Sequence, residues 1–311
     1  MIEAKPDNST ALCEPQYSGF ALVAVLVFLL VVSAITSTFA LAAWTRRTVA
    51  ANELQVQRFS LLAEGLTNVL AARLGEGAET KLPLNFEPVA CRTNDLAIVT
   101  RLQGHAGLID LNAADRNLLT LGFASLALNA QTSGDLSIAV EYFRSGASIF
   151  AAAAKANVEI AGGYKFARFE SVAELQDFAP LRAVPLAALY RTFTVNSRSG
   201  AFDPAEAPAV LAAVASNGMP ERASMAHRAA EAAFTIQVAI MRRGSPIVGS
   251  AGYIFENRSN AGLRRSAIDP AAVPDESAFA GVSASCDALF AGTMLRWRRG
   301  DDRSVISRAQ C

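Results

Sequence analysis

Residues 19–47 read GFALVAVLVFLLVVSAITSTFALAAWTRR, and from Phe20 to Trp44 there is no charged residue. A helix rises about 1.5 Å per residue, so a hydrocarbon layer of about 30 Å takes roughly 20 apolar residues to cross. In lipid, a single segment satisfies all its backbone donors and acceptors only as a helix. A secretory signal has an apolar region of about 7–15 residues ahead of a small-residue cleavage site, and this run is longer. The stretch therefore predicts a membrane-spanning helix. Trp44 stands where an interfacial aromatic belongs, and Arg46 and Arg47 follow directly.

Outward from this span the helical pattern continues. Leu54, Leu61, Leu62, Leu66, Val69, Leu70 and Leu74 recur at helical spacing, with Glu53, Arg58, Glu64 and Arg73 between them. Gly75 and Gly77 then stop the run. One helix from Phe20 to Leu74 would be about 80 Å long, apolar all round in its first half and amphipathic in its second. On the other side lies MIEAKPDNSTALCEPQYSG, polar and interrupted by Pro6 and Pro15, which reads as a leader rather than part of a fold.

The chain has 311 residues, with 28 Lys plus Arg against 28 Asp plus Glu. That balance gives no reason to expect nucleic acid as a partner. About 265 residues follow the span, enough for one large or two small domains. Their abundant alanine favours helix. No G-x-S-x-G, H-E-x-x-H, phosphate loop or dinucleotide fingerprint occurs, so no catalytic residue is assigned and no enzyme is expected.

Lys81 to Thr93 reads as a loop, and Leu96 to Leu102 as a strand. In GLIDLNAADRNLLTLGF (Gly107–Phe123), Asn112 is the expected helix cap, with Ala113 to Asp115 in the first turn. Helix is predicted to continue through Leu128 and again from Leu136 to Ala156, until Gly162-Gly163. Phe169 to Phe178 carries a capping box of Ser171 and Glu174. At Asp203-Pro204-Ala205-Glu206 the cap, first-turn proline and box acid predict a further helix start. Leu189 to Val195 is an extended or helical connector. Asp110, Glu174 and Asp203 are therefore read as capping residues. His105 and His227 are read as surface or packing residues, since neither has a ligand-like neighbourhood. Alternation at Phe234, Ile236, Val238 and Ile240, a turn at Arg242–Pro246 and a return over Ile247–Phe255 predict a hairpin. Asn257 to Phe290 is polar and poorly patterned, Met294 to Arg298 reads as a last strand, and Gly300 to Cys311 as a frayed tail.

Four segments, in order, resemble one family. Gly19-Phe20 with its long apolar helix resembles the type IV prepilin junction, cut by prepilin peptidase after Gly19 and methylated on Phe20. The fifth residue of the mature chain would be Ala24, where most such proteins carry Glu, and the leader is acidic (Glu3, Asp7 and Glu14 against Lys5) where a basic one is typical. Minor pseudopilin K of type II secretion systems characteristically lacks that Glu. GLIDLNAA (Gly107–Ala114), FESVAEL (Phe169–Leu175) with TVNSRSGAFDPAEAPAVLAAV (Thr194–Val214), and the hairpin with LRWR (Leu295–Arg298) are similar to segments of the same family. The resemblance weakens over 131–165 and 257–290.

The resemblance implies an α+β fold: a long N-terminal transmembrane and spine helix, then a pilin-like α/β head with a large inserted all-α domain. The expected boundaries are leader 1–19, spine helix 20–75, first part of the head 76–106, inserted helical domain 107–232, and C-terminal β part of the head 233–311. It implies a tip subunit of the pseudopilus, working with minor pseudopilins I and J and processed by prepilin peptidase. The chain would be anchored in inner-membrane lipid with its C-terminal domain in the periplasm. The alternative is a generic single-span, membrane-anchored periplasmic binding or scaffold protein. A periplasmic domain permits disulfides. Removal of the leader takes Cys13 away and leaves one bridge to form among Cys91, Cys286 and Cys311, with the pairing open. Some members of the family bind calcium, but Asp287, Asp301 and Asp302 show no calcium-loop spacing, so no cofactor is expected.

Overall fold

The computed structural model describes residues 18–75, 82–93, 95–145, 158–218, 233–245, 248–258 and 262–268, together with Phe279 and Cys286. The leader up to Tyr17, the helical residues expected at 146–156, His227, the strand Met294–Arg298, Cys311, Asp287, Asp301 and Asp302 lie outside the described residues.

The chain divides into two units, Met1–Leu54 and Gln55–Cys311. One helix, α1 (Ser18–Gly75, 58 residues), contributes to both. Within the first unit its apolar side chains are exposed: Phe20 at 77%, Phe39 at 72% and Trp44 at 66%. The helix is long and apolar enough to cross a membrane. Hydroxyls along it donate to its own backbone carbonyls. Thr36 Oγ1 donates to the Val32 carbonyl at 2.9 Å and Ser37 Oγ to the Ser33 carbonyl at 2.8 Å. That is the arrangement a polar group needs where no water can reach it.

The second unit contains the last turns of α1 and a sheet. Its strands are β1 (Val89–Thr93), β2 (Leu96–Gly104), β3 (Ile109–Asp110), β4 (Phe193–Thr194), β5 (Ala233–Arg242), β6 (Val248–Arg258) and β7 (Gly262–Ile268). Five of them form an antiparallel sheet in the order β1-β2-β5-β6-β7. The short strands β3 and β4 pair in parallel. Between β2 and β5 the chain forms α2 (Arg116–Ser125), α3 (Ala130–Ser145), α4 (Leu186–Tyr190) and α5 (Ala209–Gly218), with a 3-10 helix at Val172–Asp177.

Two apolar cores result. In one, Phe59, Ala63, Leu66 and Leu70 of α1 pack on Ile98 and Leu102 of β2 and on Ile236, Val238 and Ile240 of β5. Spacings of four, three and four residues put this stripe on one face of the helix. Gly249 on β6 lets helix and sheet meet: a Cβ there would collide with Phe59 Cβ and lie 2.5 Å from the Ser60 backbone nitrogen. The other core, built around Leu119, Phe123, Val140, Phe143, Phe178 and Phe202, draws only on residues between β2 and β5. That segment was expected to be all helical, but alongside its helices it carries the β3–β4 ladder, which the sequence did not signal.

Several local expectations are corrected. Lys81–Thr93 is not all loop, because Val89–Thr93 pairs with β2, and the pairing comes from tertiary context rather than any alternation in VACRT. The buried stripe of α1 runs through Phe59 and Ala63, while Leu54 and Leu61 lie exposed at 49% and 68%. Helix α3 begins at Ala130, six residues before the predicted start. Leu189–Val195 is partly helical (the end of α4) and partly extended (β4). Asp203 caps a turn, donating no helix start. Its Oδ1 accepts from Ala205 N at 2.9 Å, and the helix begins only at Ala209, after Pro208. Gly262–Ile268 adds a fifth strand inside the stretch read as patternless. The β5–β6 hairpin forms as predicted, with its turn closed by Ser245 N donating to the Arg242 carbonyl at 3.0 Å.

Candidate functional site

Two places carry the residues singled out in the sequence. The first is the start of α1. Helix α1 is described from Ser18, so Gly19 and Phe20 lie in its first described turn, and Phe20 is exposed. No acidic residue stands in that turn.

The second place is where the GLIDLNAA and TVNSRSG segments meet. Strands β3 and β4 set Asp110 beside Thr194. Asp110 is buried at 1% exposure and accepts four hydrogen bonds. Its Oδ1 takes Asn112 N at 2.8 Å and Ala113 N at 3.1 Å, and its Oδ2 takes Ser197 Oγ at 2.9 Å and Arg198 N at 2.8 Å. Arg198 is held in the left-handed region, at φ 53°. Arg144 of α3 donates to the carbonyls of Leu111 and Ala114, each at 2.7 Å. Burial pushes its guanidinium below the ordinary value, while Glu141, Asp110 and Asp115 pull the other way. The carboxylate thus takes the amides of this turn and the guanidinium takes its carbonyls.

Asn112 does not cap the helix. Its side chain bridges to Phe169, accepting from the backbone nitrogen at 2.8 Å and donating to the carbonyl at 3.0 Å. The cap is Asp115, whose Oδ1 accepts from Leu118 N at 2.8 Å. Two residues in the same run could serve, and the longer-range bridge claims Asn112. The Ser171–Glu174 capping box forms as read, on a 3-10 helix. Glu174 additionally pairs with Lys165 at 3.2 Å. Asp110, Glu174 and Asp203 each accept from backbone amides, and Asp110 also takes the Ser197 hydroxyl.

His105 is 2% exposed. Its Nδ1 lies 2.7 Å from Thr194 Oγ1 and its Nε2 2.8 Å from Thr235 Oγ1. The ring therefore ties the inserted segment to β5. Burial lowers its pKa from 6.5 to about 3, because the site disfavours the charged ring. The unfolded chain takes up this proton near pH 6.5, and the folded chain not until about pH 3. The stability contributed by neutral His105 is therefore complete above pH 6.5. It falls by about 1.4 kcal/mol per pH unit across that window as pH drops. Urea unfolding at pH 7 and pH 5 should show this loss, and His105→Gln should reduce the slope.

Cys91 on β1 is joined to Cys286, with both residues 1% exposed. They are 195 residues apart in sequence. Among the described residues, no cluster of three His, Cys, Asp or Glu side chains is placed to hold a metal ion. Sequence reasoning missed the role of Arg144, whose only signal was a basic residue in an otherwise ordinary amphipathic helix.

No protein-family model matches the chain. No curated protein matches it either. Among solved structures it is similar to a chain of the GspK-GspI-GspJ complex from the enterotoxigenic Escherichia coli type 2 secretion system. The similarity is at 10% sequence identity and a TM-score of 0.45, and covers 72% of this chain and 99% of that one.

Proposed function

We propose that the chain is a minor pseudopilin of the K class: a transiently membrane-anchored subunit that ends a type II secretion pseudopilus. The observation that carries this reading is α1 itself. Its first half exposes apolar side chains throughout, and its second half buries one stripe against an antiparallel sheet. A helix of that kind can sit in lipid and later among other helices without altering its head. The opposite face of the second half remains open. Leu54 and Leu61 are exposed there, and nothing lies within 4 Å of a Cβ built on Gly65. An exposed mid-helix glycine costs about 1 kcal/mol relative to alanine, so its presence favours a close neighbour over solvent.

The insert between β2 and β5 supports a terminal position, because a bulky outgrowth of the head obstructs a further subunit. Ala24 fits the same place. In the resembling filaments the Glu at this position reaches the N-terminal amine of the subunit above, and a tip subunit has none above it. An unpaired carboxylate in lipid would be costly.

Orientation is supported by the disulfide, since such bonds persist in oxidising compartments. Arg46 and Arg47 bias the charge the other way, but long C-terminal domains translocate largely regardless of flanking charge. The test is co-purification. The head from about Glu53 should retain minor pseudopilins I and J of the same secretion system, and deletion of the chain should stop secretion. Recovery of neither partner, with secretion intact, would contradict the reading.

A further inference from the structure

Arg46 and Arg47 are the first charged residues after Gly19, and the first acid is Glu53. On a helix, ion pairs form three or four residues apart. The positions at those distances from Arg46 are Ala42, Ala43, Val49 and Ala50, and from Arg47 they are Ala43, Trp44, Ala50 and Ala51. Neither arginine has a hydrogen bond or an ion pair among the described residues. Two adjacent guanidiniums thus stand on an alanine-faced helix with nothing among the described residues to neutralise them.

Their depth is set by the span below. From Phe20 to Trp44 the helix rises about 37 Å, somewhat more than the hydrocarbon layer of about 30 Å. With Phe20 at one edge of that layer, Trp44 falls among the headgroups of the far leaflet, where its amphipathic ring is favoured. Arg46 and Arg47 then lie a few Å further, at the level of the phosphates. Arginine matches phosphate through paired donors.

We infer that Trp44, Arg46 and Arg47 form a headgroup collar that binds the phosphates of anionic phospholipid in the leaflet facing the head domain. The inference rests on the membrane-spanning reading of α1 and names the lipid class that the span prefers. The collar fixes how far the helix sits in the bilayer until it is withdrawn.

The experiment uses the full chain reconstituted in phosphatidylcholine vesicles containing a minor fraction of phosphatidylglycerol. Headgroup spin labels on each lipid report which one is enriched at the protein. Phosphatidylglycerol should be preferred, with the preference falling about fivefold for each of Arg46→Gln and Arg47→Gln, the usual strength of one basic residue at an anionic surface. It should weaken with sodium chloride, and inorganic phosphate should do no more than salt of equal ionic strength. Absence of a preference, its survival in the double variant, or specific competition by inorganic phosphate would each overturn the collar. A chain that does not float with vesicles after alkaline washing would instead defeat the membrane-spanning reading itself.

Discussion

Asp110→Ala is expected to lower stability by about 3–5 kcal/mol, the range for removing one member of a buried polar set. The substitution strands the Asn112, Ala113 and Arg198 amides and the Ser197 hydroxyl together. A buried donor left without a partner costs about 1–3 kcal/mol, and entering water recovers part of that. Arg198 would also lose the bond that holds its left-handed backbone. The effect is a sizeable fraction of the roughly 5–15 kcal/mol that holds a typical domain. Asp110→Asn should fall between wild type and Asp110→Ala. Its amide keeps one acceptor oxygen and turns two donors toward groups that themselves donate. Urea unfolding in detergent gives the ranking, and hydrogen exchange should place the loosening at 109–115 and 193–201. Equal stability of all three proteins would show that the turn does not depend on this carboxylate.

Loss of the Cys91–Cys286 bridge is the second large effect. The bond closes a sequence separation of 195 residues. Loop-closure entropy for a ring of that size corresponds to about 5 kcal/mol, against a usual range of about 2–4 kcal/mol for native disulfides. It also fastens Cys286 to β1, whose only strand neighbour among the described residues is β2. The double variant Cys91→Ala and Cys286→Ala is expected to lose about 3–5 kcal/mol of stability. Wild-type chain in reductant should behave alike, and reductant should leave the double variant unchanged. A double variant as stable as the oxidised wild type would mean that the bridge constrains nothing of consequence.

What the sequence made legible follows from how local each signal is. The span at 20–44 depends only on composition, and the β5–β6 hairpin on alternation interrupted by Arg243-Gly244-Ser245. The Ser171–Glu174 box is complete within four residues. All three can be read without knowing what lies opposite. Strand β1 and strand β7 could not be, because VACRT and GLRRSAI become strands through the partners they meet. Asn112 was the expected cap, but Phe169, 57 residues away, claims its side chain and Asp115 caps the helix instead. Two of the motifs that carried the family resemblance, GLIDLNAA and TVNSRSG, meet in one hydrogen-bonded arrangement. Ile109 and Asp110 pair with Phe193 and Thr194, and the acid between them organises two turns. The junction at Gly19-Phe20 is of another kind, since its meaning depends on an enzyme acting on it.

The central claim is tested most directly at that junction. The full chain would be co-expressed with a prepilin peptidase, and the intact mass and N-terminal peptide of the membrane-extracted protein determined. The expected product begins at Phe20, carries one added methyl group on its amine, and has lost residues 1–19. A chain that keeps Met1 to Gly19 in the presence of active peptidase would contradict it.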